Sequence, residues 1–175
     1  VQTGPWNDAS TWNCTCLPLS ELNVTIDANH TVSVNSASAA KKLIILNNGT
    51  LALSNLLDVE TDITNNGDII SSGSRIFIGG NWDNTSGTYT YFDGDSITFD
   101  GSSPSIINGS TDWDILTINN SSGVTVSSGT QNIYNKLNIK SGALTTNGNV
   151  VLKSNASGTA FLDNIETGSV SGSLT

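Results

Sequence analysis

From Asn23 onward the chain alternates short runs, in which every second residue is apolar, with corners built from Asn, Gly, Ser and Asp. NVTI at 23–26, TVSV at 31–34, LIIL at 43–46 and TLAL at 50–53 are the first four runs, and each has the two-residue period of a half-buried strand. The first and third begin twenty residues apart and the second and fourth nineteen. The segment 43–55, LIILNNGTLALSN, shows the unit in full: a strand, a corner at Asn47, Asn48 and Gly49, and a second strand. Asn and Gly tolerate the left-handed backbone a sharp corner needs, whereas Ile, Val and Thr fit a pleated surface.

The same unit returns further on. ILTINNSSGVTV at 115–126 is followed by KLNIKSGALTT at 136–146, with Leu116 and Leu137 twenty-one apart and Val124 and Leu144 twenty apart. Self-similarity near twenty residues predicts a solenoid, because no single unit can bury its own apolar face. The expected fold is all-β, a right-handed parallel β-helix of about seven coils, with an antiparallel β-sandwich as the alternative. At a strand spacing of 4.7 to 4.9 Å, seven coils make a rod of roughly 35 Å. The predicted interior is Val24, Ile26, Leu43, Ile45, Leu51, Leu53, Ile69, Ile76, Ile78, Leu116, Ile118, Val124, Val126, Leu137, Ile139, Leu144, Leu152 and Phe161. Thr, Ser and Asn at alternate positions are expected to face water.

Two stretches depart from the pattern. Residues 1–22 contain Trp6 and Trp12 among turn formers, which suits a cap blunting the first edge of the stack; 23–175 would then be the solenoid, the whole forming one domain. Residues 81–100 hold Trp82, Tyr89, Tyr91, Phe92 and Phe99 with four aspartates, and read as an excursion or hairpin with FDGD as its turn. The best helical candidate, ASAAKK at 37–42, has room for one turn only. An α/β nucleotide-binding fold lacks its crossover helices.

Composition narrows the function. In 175 residues only 12% are charged, and the formal net charge of -9 repels nucleic acid and anionic membrane. No apolar run is long enough for a membrane-spanning helix, so membrane insertion is not expected. Methionine is absent and SVSGSLT at 169–175 breaks off like a strand, so the parent polypeptide is expected to continue past Thr175 with any leader already removed. The predicted location is extracellular.

Candidate chemistry is sparse. Cys14 and Cys16 are the only two cysteines and His30 the only histidine, one ligand short of a structural zinc site; a disulfide or a pair of buried thiols is the expectation. His30 has no informative spacing for a catalytic triad, so no catalytic residue is assigned. Asp93, Asp95 and Asp100 are candidates for a weak structural calcium, with a solvated acidic loop as the plainer alternative, and no other cofactor is expected. Trp82, Tyr89, Tyr91 and Trp113 are candidates for stacking on sugar rings, or else they cover a sheet face. Nine N-x-[ST] sequons, among them Asn48, Asn108 and Asn155, follow from composition alone.

The opening GPWNDASTWNCTCLP with NVTIDANHTVSV, the coil LIILNNGTLALSN and the close SGTAFLDNIETGSVSGSLT together resemble the β-solenoid segments of large cell-surface proteins of the Bacteroidetes. Those proteins are exported by type IX secretion, and some are gliding-motility adhesins. The resemblance implies a repeated structural or adhesive segment, joined end to end with further segments of the same polypeptide or with like subunits in a filament, and contacting surface polysaccharide. It also makes Ser96, in Asp95-Ser96-Ile97, an O-glycosylation candidate. Cys14 and Cys16 are not part of that pattern. A dedicated carbohydrate-binding module and a polysaccharide-degrading β-helix enzyme are the alternative functions.

Overall fold

The structure is a computed structural model that describes residues 1–155 and 158–175. Its strands form three long parallel sheets wound as a β-solenoid of about seven turns. Each of the first four turns contributes one strand to each of the three faces; beyond Thr88–Thr90 the second sheet stops, and the long strands Thr111–Asn119 and Gln131–Ser141 belong to the third. In the first two turns the strands are Asn23–Ile26, Thr31–Val34 and Ser38–Ala40, then Lys42–Ile45, Thr50–Leu53 and Leu56–Val59. The first sheet has eight strands, the second five and the third eight.

Successive turns lie in register, so like positions pile up. On the first face Val24, Leu43, Ile63, Trp82, Ile107 and Val126 form one inward column. On the second the column is Val32, Leu51, Ile69 and Tyr89. On the third it is Leu57, Ile76, Ile97, Leu116, Leu137 and Leu162. A one-residue slip in any strand would turn its apolar side chains outward, so each ladder locks its neighbours.

Most of the predicted interior is buried, and two positions differ. Phe161 is 48% exposed, because it pairs with the outward Lys136 and leaves the inward slot to Leu162. Leu152 is only half-buried near the end of the stack. Residues 37–42 form no helical turn. Ser38–Ala40 is a strand paired with Leu57–Val59, since ladder pairing outweighs weak helix propensity.

The cap is fused to the solenoid. Gly4–Pro5 pairs with Val32 and Ser33 as the first rung of the second sheet, and Pro5 suits an edge because it has no N–H to leave unpaired. Trp6 and Trp12 meet edge to face at 5.1 Å, and the Trp12 indole donates to the Trp6 carbonyl at 2.8 Å. Trp6 is wholly buried and closes the core by bulk, its own Nε1 having no partner among the described residues.

Residues 81–100 are no excursion: they form one complete turn. Trp82–Asp83 lies in the first sheet, Thr88–Thr90 in the second and Ser96–Phe99 in the third. Of the aromatic rings that made the stretch look foreign, Trp82, Tyr89 and Phe99 point inward, whereas Tyr91 and Phe92 lie at the corner. Trp82, Tyr89 and Trp113 cluster with ring centres 5.2 to 5.9 Å apart. The chain leaves the solenoid later, at a small antiparallel hairpin pairing Ser154–Asn155 with Gly158–Thr159.

A buried polar ladder serves the aromatic layer. Asn65 stacks above Ile45, its amide reaches the Asn84 side chain at 2.8 Å, and Asn84 donates to Thr111 Oγ1 at 3.3 Å. The indoles of Trp82 and Trp113 donate to Thr111 and Gln131, each at 3.1 Å. Most polar atoms admitted to a core find a partner, and in this layer the partners lie on adjacent turns.

Corners between the third and first sheets bring backbones close. A Cβ on Gly101 would lie 1.9 Å from the Gly79 carbonyl oxygen, whereas one on Gly73, at φ +72°, would meet nothing within 4 Å. Gly101→Ala is therefore expected to cost about 3 kcal/mol through steric overlap. Gly73→Ala should cost about 1 kcal/mol from its left-handed backbone alone. Urea unfolding of the two variants measures the difference, and equal costs would contradict this corner geometry.

Candidate functional site

The corner between the second and third sheets carries the chemistry worth examining. It is built from consecutive turns: Ser72 to Ser74, then Tyr91 to Asp95, then Asp112 to Asp114, then Tyr134 and Asn135. Strand Thr111–Asn119 pairs with Gln131–Ser141 up to Trp113 opposite Ile133, and pairing resumes with Ile115 opposite Lys136. One residue, Asp114, therefore faces two, Tyr134 and Asn135. That is a β-bulge, a device that re-aims side chains at a sheet margin. The Tyr134 ring here packs against Tyr91 with centres 5.5 Å apart and planes 30° from parallel.

Carboxylates surround this pair. Asp112 accepts from Asn132 Nδ2 at 2.7 Å and from the Tyr134 hydroxyl at 3.5 Å. Asp114, only 4% exposed, accepts from the Gly94 N–H at 2.7 Å and from Asn135 Nδ2 at 3.5 Å. Asp93 is exposed at the tip of the corner. A cleft of about 310 Å³ is lined by Asp93, Asp114, Tyr134, Asn135, Phe161 and the hairpin. Asp93 also borders the shallow depression holding Tyr91 and Phe92, so the two hollows share an acidic wall. At the cleft margin the Lys136 ammonium sits 5.5 Å from the centre of the Phe161 ring and 3.1 Å from Asp163.

Of the sugar-stacking candidates, Tyr91 alone is placed for contact. Trp82, Tyr89 and Trp113 are 0%, 8% and 1% exposed and offer no face to a ligand; they are core. The ring missed by sequence reasoning is Tyr134, whose strand reads as unbroken alternation until the bulge is seen. The only hint was the extra residue between Leu116 and Leu137, a step of twenty-one.

The three aspartates considered for calcium are not brought together. Asp95 is buried, and its two oxygens accept from the Ser74 and Phe92 N–H groups, both at 2.6 Å, clamping one turn to the next. Asp100 lies past the far end of strand Ser96–Phe99, roughly 16 Å from Asp95 at 3.3 Å per residue, near Asp58 and Glu60. Among the described residues no group of three or more His, Cys, Asp or Glu side chains is placed to hold a metal ion. Ser96 faces outward between Arg75 and Ile115, flanked by buried Asp95 and Ile97. His30 follows Asn29 at a corner, where its N–H donates to the Asp27 carbonyl at 3.3 Å. Cys14 and Cys16 are joined by a disulfide beside the cap. Side chains of Asn155, one of the sequons, lie outside the described residues.

Comparison with known protein families, curated proteins and solved structures returned no match. Among the described residues no helix is long and apolar enough to cross a membrane.

Electrostatics give the corner two pH signatures. Burial first, and then the neighbouring Tyr134 and acidic groups, push the Tyr91 hydroxyl up to about 12. Below its ordinary value near 10 both folded and unfolded chains hold that proton. Above it the unfolded chain releases it first, so stability should fall as pH rises from about 10 to 12. The denaturant midpoint should drop less between pH 9 and pH 11 in Tyr91→Phe than in the parent. Burial also holds the Asp114 carboxyl above the usual carboxylate range. Its stabilising contribution is therefore full only in acid, below the unfolded value, and is lost as pH rises through the folded one, leaving an unfavourable charge at pH 7. Asp114→Asn keeps an acceptor for Gly94 and should equal or exceed the parent in stability at pH 7, by chemical denaturation.

Proposed function

We propose that this chain is an extracellular structural and adhesive module, a stiff segment of a bacterial surface protein that contacts saccharide through the Tyr91–Tyr134 corner. The observation that carries the reading is the half-buried tyrosine pair stacked at the corner and ringed by hydrogen-bonding side chains, on an otherwise Thr-, Ser- and Asn-rich surface. Sugar rings present apolar C–H faces and hydroxyl edges. Aromatic faces meet the first, while Asn135, Asp93 and Asp112 suit the second.

Rigidity supports the structural half. Parallel ladders run nearly the length of the chain, so bending the rod strains backbone hydrogen bonds as well as packing. An extracellular location is favoured by the Cys14–Cys16 disulfide, a bond that persists in oxidising compartments, and by the resemblance to type IX-secreted surface proteins and gliding adhesins. Further copies of the unit, in the same polypeptide or in a filament, would extend the ladders without new chemistry.

The test is saturable binding to a panel of neutral, basic and acidic oligosaccharides, followed by calorimetry. Tyr134→Ala and Tyr91→Ala should each weaken binding about tenfold or more while leaving the unfolding midpoint near that of the parent. Trp82→Ala would be uninformative for this purpose because it opens the core. Absence of binding to any member of the panel would end the saccharide reading and leave a purely structural segment.

A further inference from the structure

The acidic character of this corner says more than that a sugar could rest there. Asp93, Asp112 and Asp114 surround two tyrosine rings, and none of the three forms an ion pair among the described residues; the ion pairs there join Val1 to Asp27, Lys42 to Asp62 and Lys136 to Asp163. Asp114 is almost fully buried beneath the cleft. A buried carboxylate without a counter-charge is unfavourable unless something cationic approaches it.

At the cleft margin the chain itself shows which cation suits such surroundings. Lys136 places its ammonium against the Phe161 ring and beside the Asp163 carboxylate. That is an ammonium shared by an aromatic face and an acid, the arrangement in which cation–π and Coulomb attraction act together. The Tyr91–Tyr134 pair with its three acids supplies the same two kinds of group and, among the described residues, makes no ion pair or cation–π contact. A metal ion is the poorer match, because aromatic faces supply no ligand oxygens and the acids are not grouped to surround an ion. Acidic saccharides are disfavoured by the same carboxylates and by the net charge of -9.

We infer that the corner selects amine-bearing saccharide, a hexosamine polymer with free ammonium groups, seating the sugar face on Tyr91 and Tyr134 and the ammonium between Asp93 and Asp114. This rests on the saccharide reading above and narrows it to one class.

The experiment compares three probes by calorimetry at about pH 6, where glucosamine amines are charged: a β-1,4 glucosamine tetramer, its fully N-acetylated counterpart and a galacturonate tetramer. The glucosamine tetramer should bind about tenfold or more tightly than the acetylated one, and the galacturonate tetramer should not bind measurably. Asp93→Asn, at an exposed position that leaves the fold alone, should abolish most of that preference, as should Tyr134→Ala. Equal or tighter binding of the acetylated tetramer would overturn the ammonium preference while leaving saccharide contact standing. Binding of glucosamine unchanged in both variants would also overturn it, as general attraction to an acidic surface. No binding of any tetramer would overturn both.

Discussion

The hydrogen-bonded ladder between one turn and the next is the constraint on which everything else in this molecule depends. Because every turn pairs in parallel with the turns on either side, each residue's inward or outward direction is inherited from its neighbours. The apolar columns are the consequence. A Leu or Ile at one level creates the floor on which the next must rest, and where a turn is longer, as from Trp82 to Ile107 or from Leu137 to Leu162, the extra residues lie between the strands and the register is kept.

That constraint also explains how the middle of the rod accommodates residues that would be awkward elsewhere. Three large rings, Trp82, Tyr89 and Trp113, occupy levels where other turns place Ile, Leu or Val. The Trp82 and Trp113 indoles donate to Thr111 and Gln131, and Asn65 donates to Asn84, which donates in turn to Thr111. A wider layer of core is tolerated because the ladder continues through it. The same logic applies to Asp95, whose buried carboxylate is held by two backbone N–H groups and so acts as a clamp between turns.

The corners are where side chains from successive turns escape the strict alternation of the faces. At the corner between the second and third sheets a bulge inserts an extra residue and throws Tyr134 out against Tyr91. Once outward, the two rings gather Asp93 from one level and Asp112 and Asp114 from the next. A scaffold with so few charges makes this concentration of acid conspicuous: the site is the exception that a repetitive fold permits at a point where the repeat is broken.

Alternation and the near-constant step between like runs were enough, from sequence alone, to establish the class of fold, the approximate number of turns and most of the interior from Val24 to Leu144. Those properties are local: a two-residue period and an Asn-Gly corner mean the same thing wherever the turn lies in the stack. Trp6 and Trp12 among turn formers suggested a cap, whereas Cys14 and Cys16 left a disulfide and a pair of buried thiols both open until the structure joined them. What lay beyond reach depended on counting residues between pairing partners. Residues 81–100 looked like an excursion because ring size and aspartate content say nothing about direction, and only register showed that Trp82 and Tyr89 point inward. Phe161 went outward because its strand pairs one position away from the expected alignment, and Tyr134 became a surface ring because two residues there face one. Direction in a ladder is set by the partner strand, so the tertiary structure alone decided which aromatics are core and which are available to a ligand.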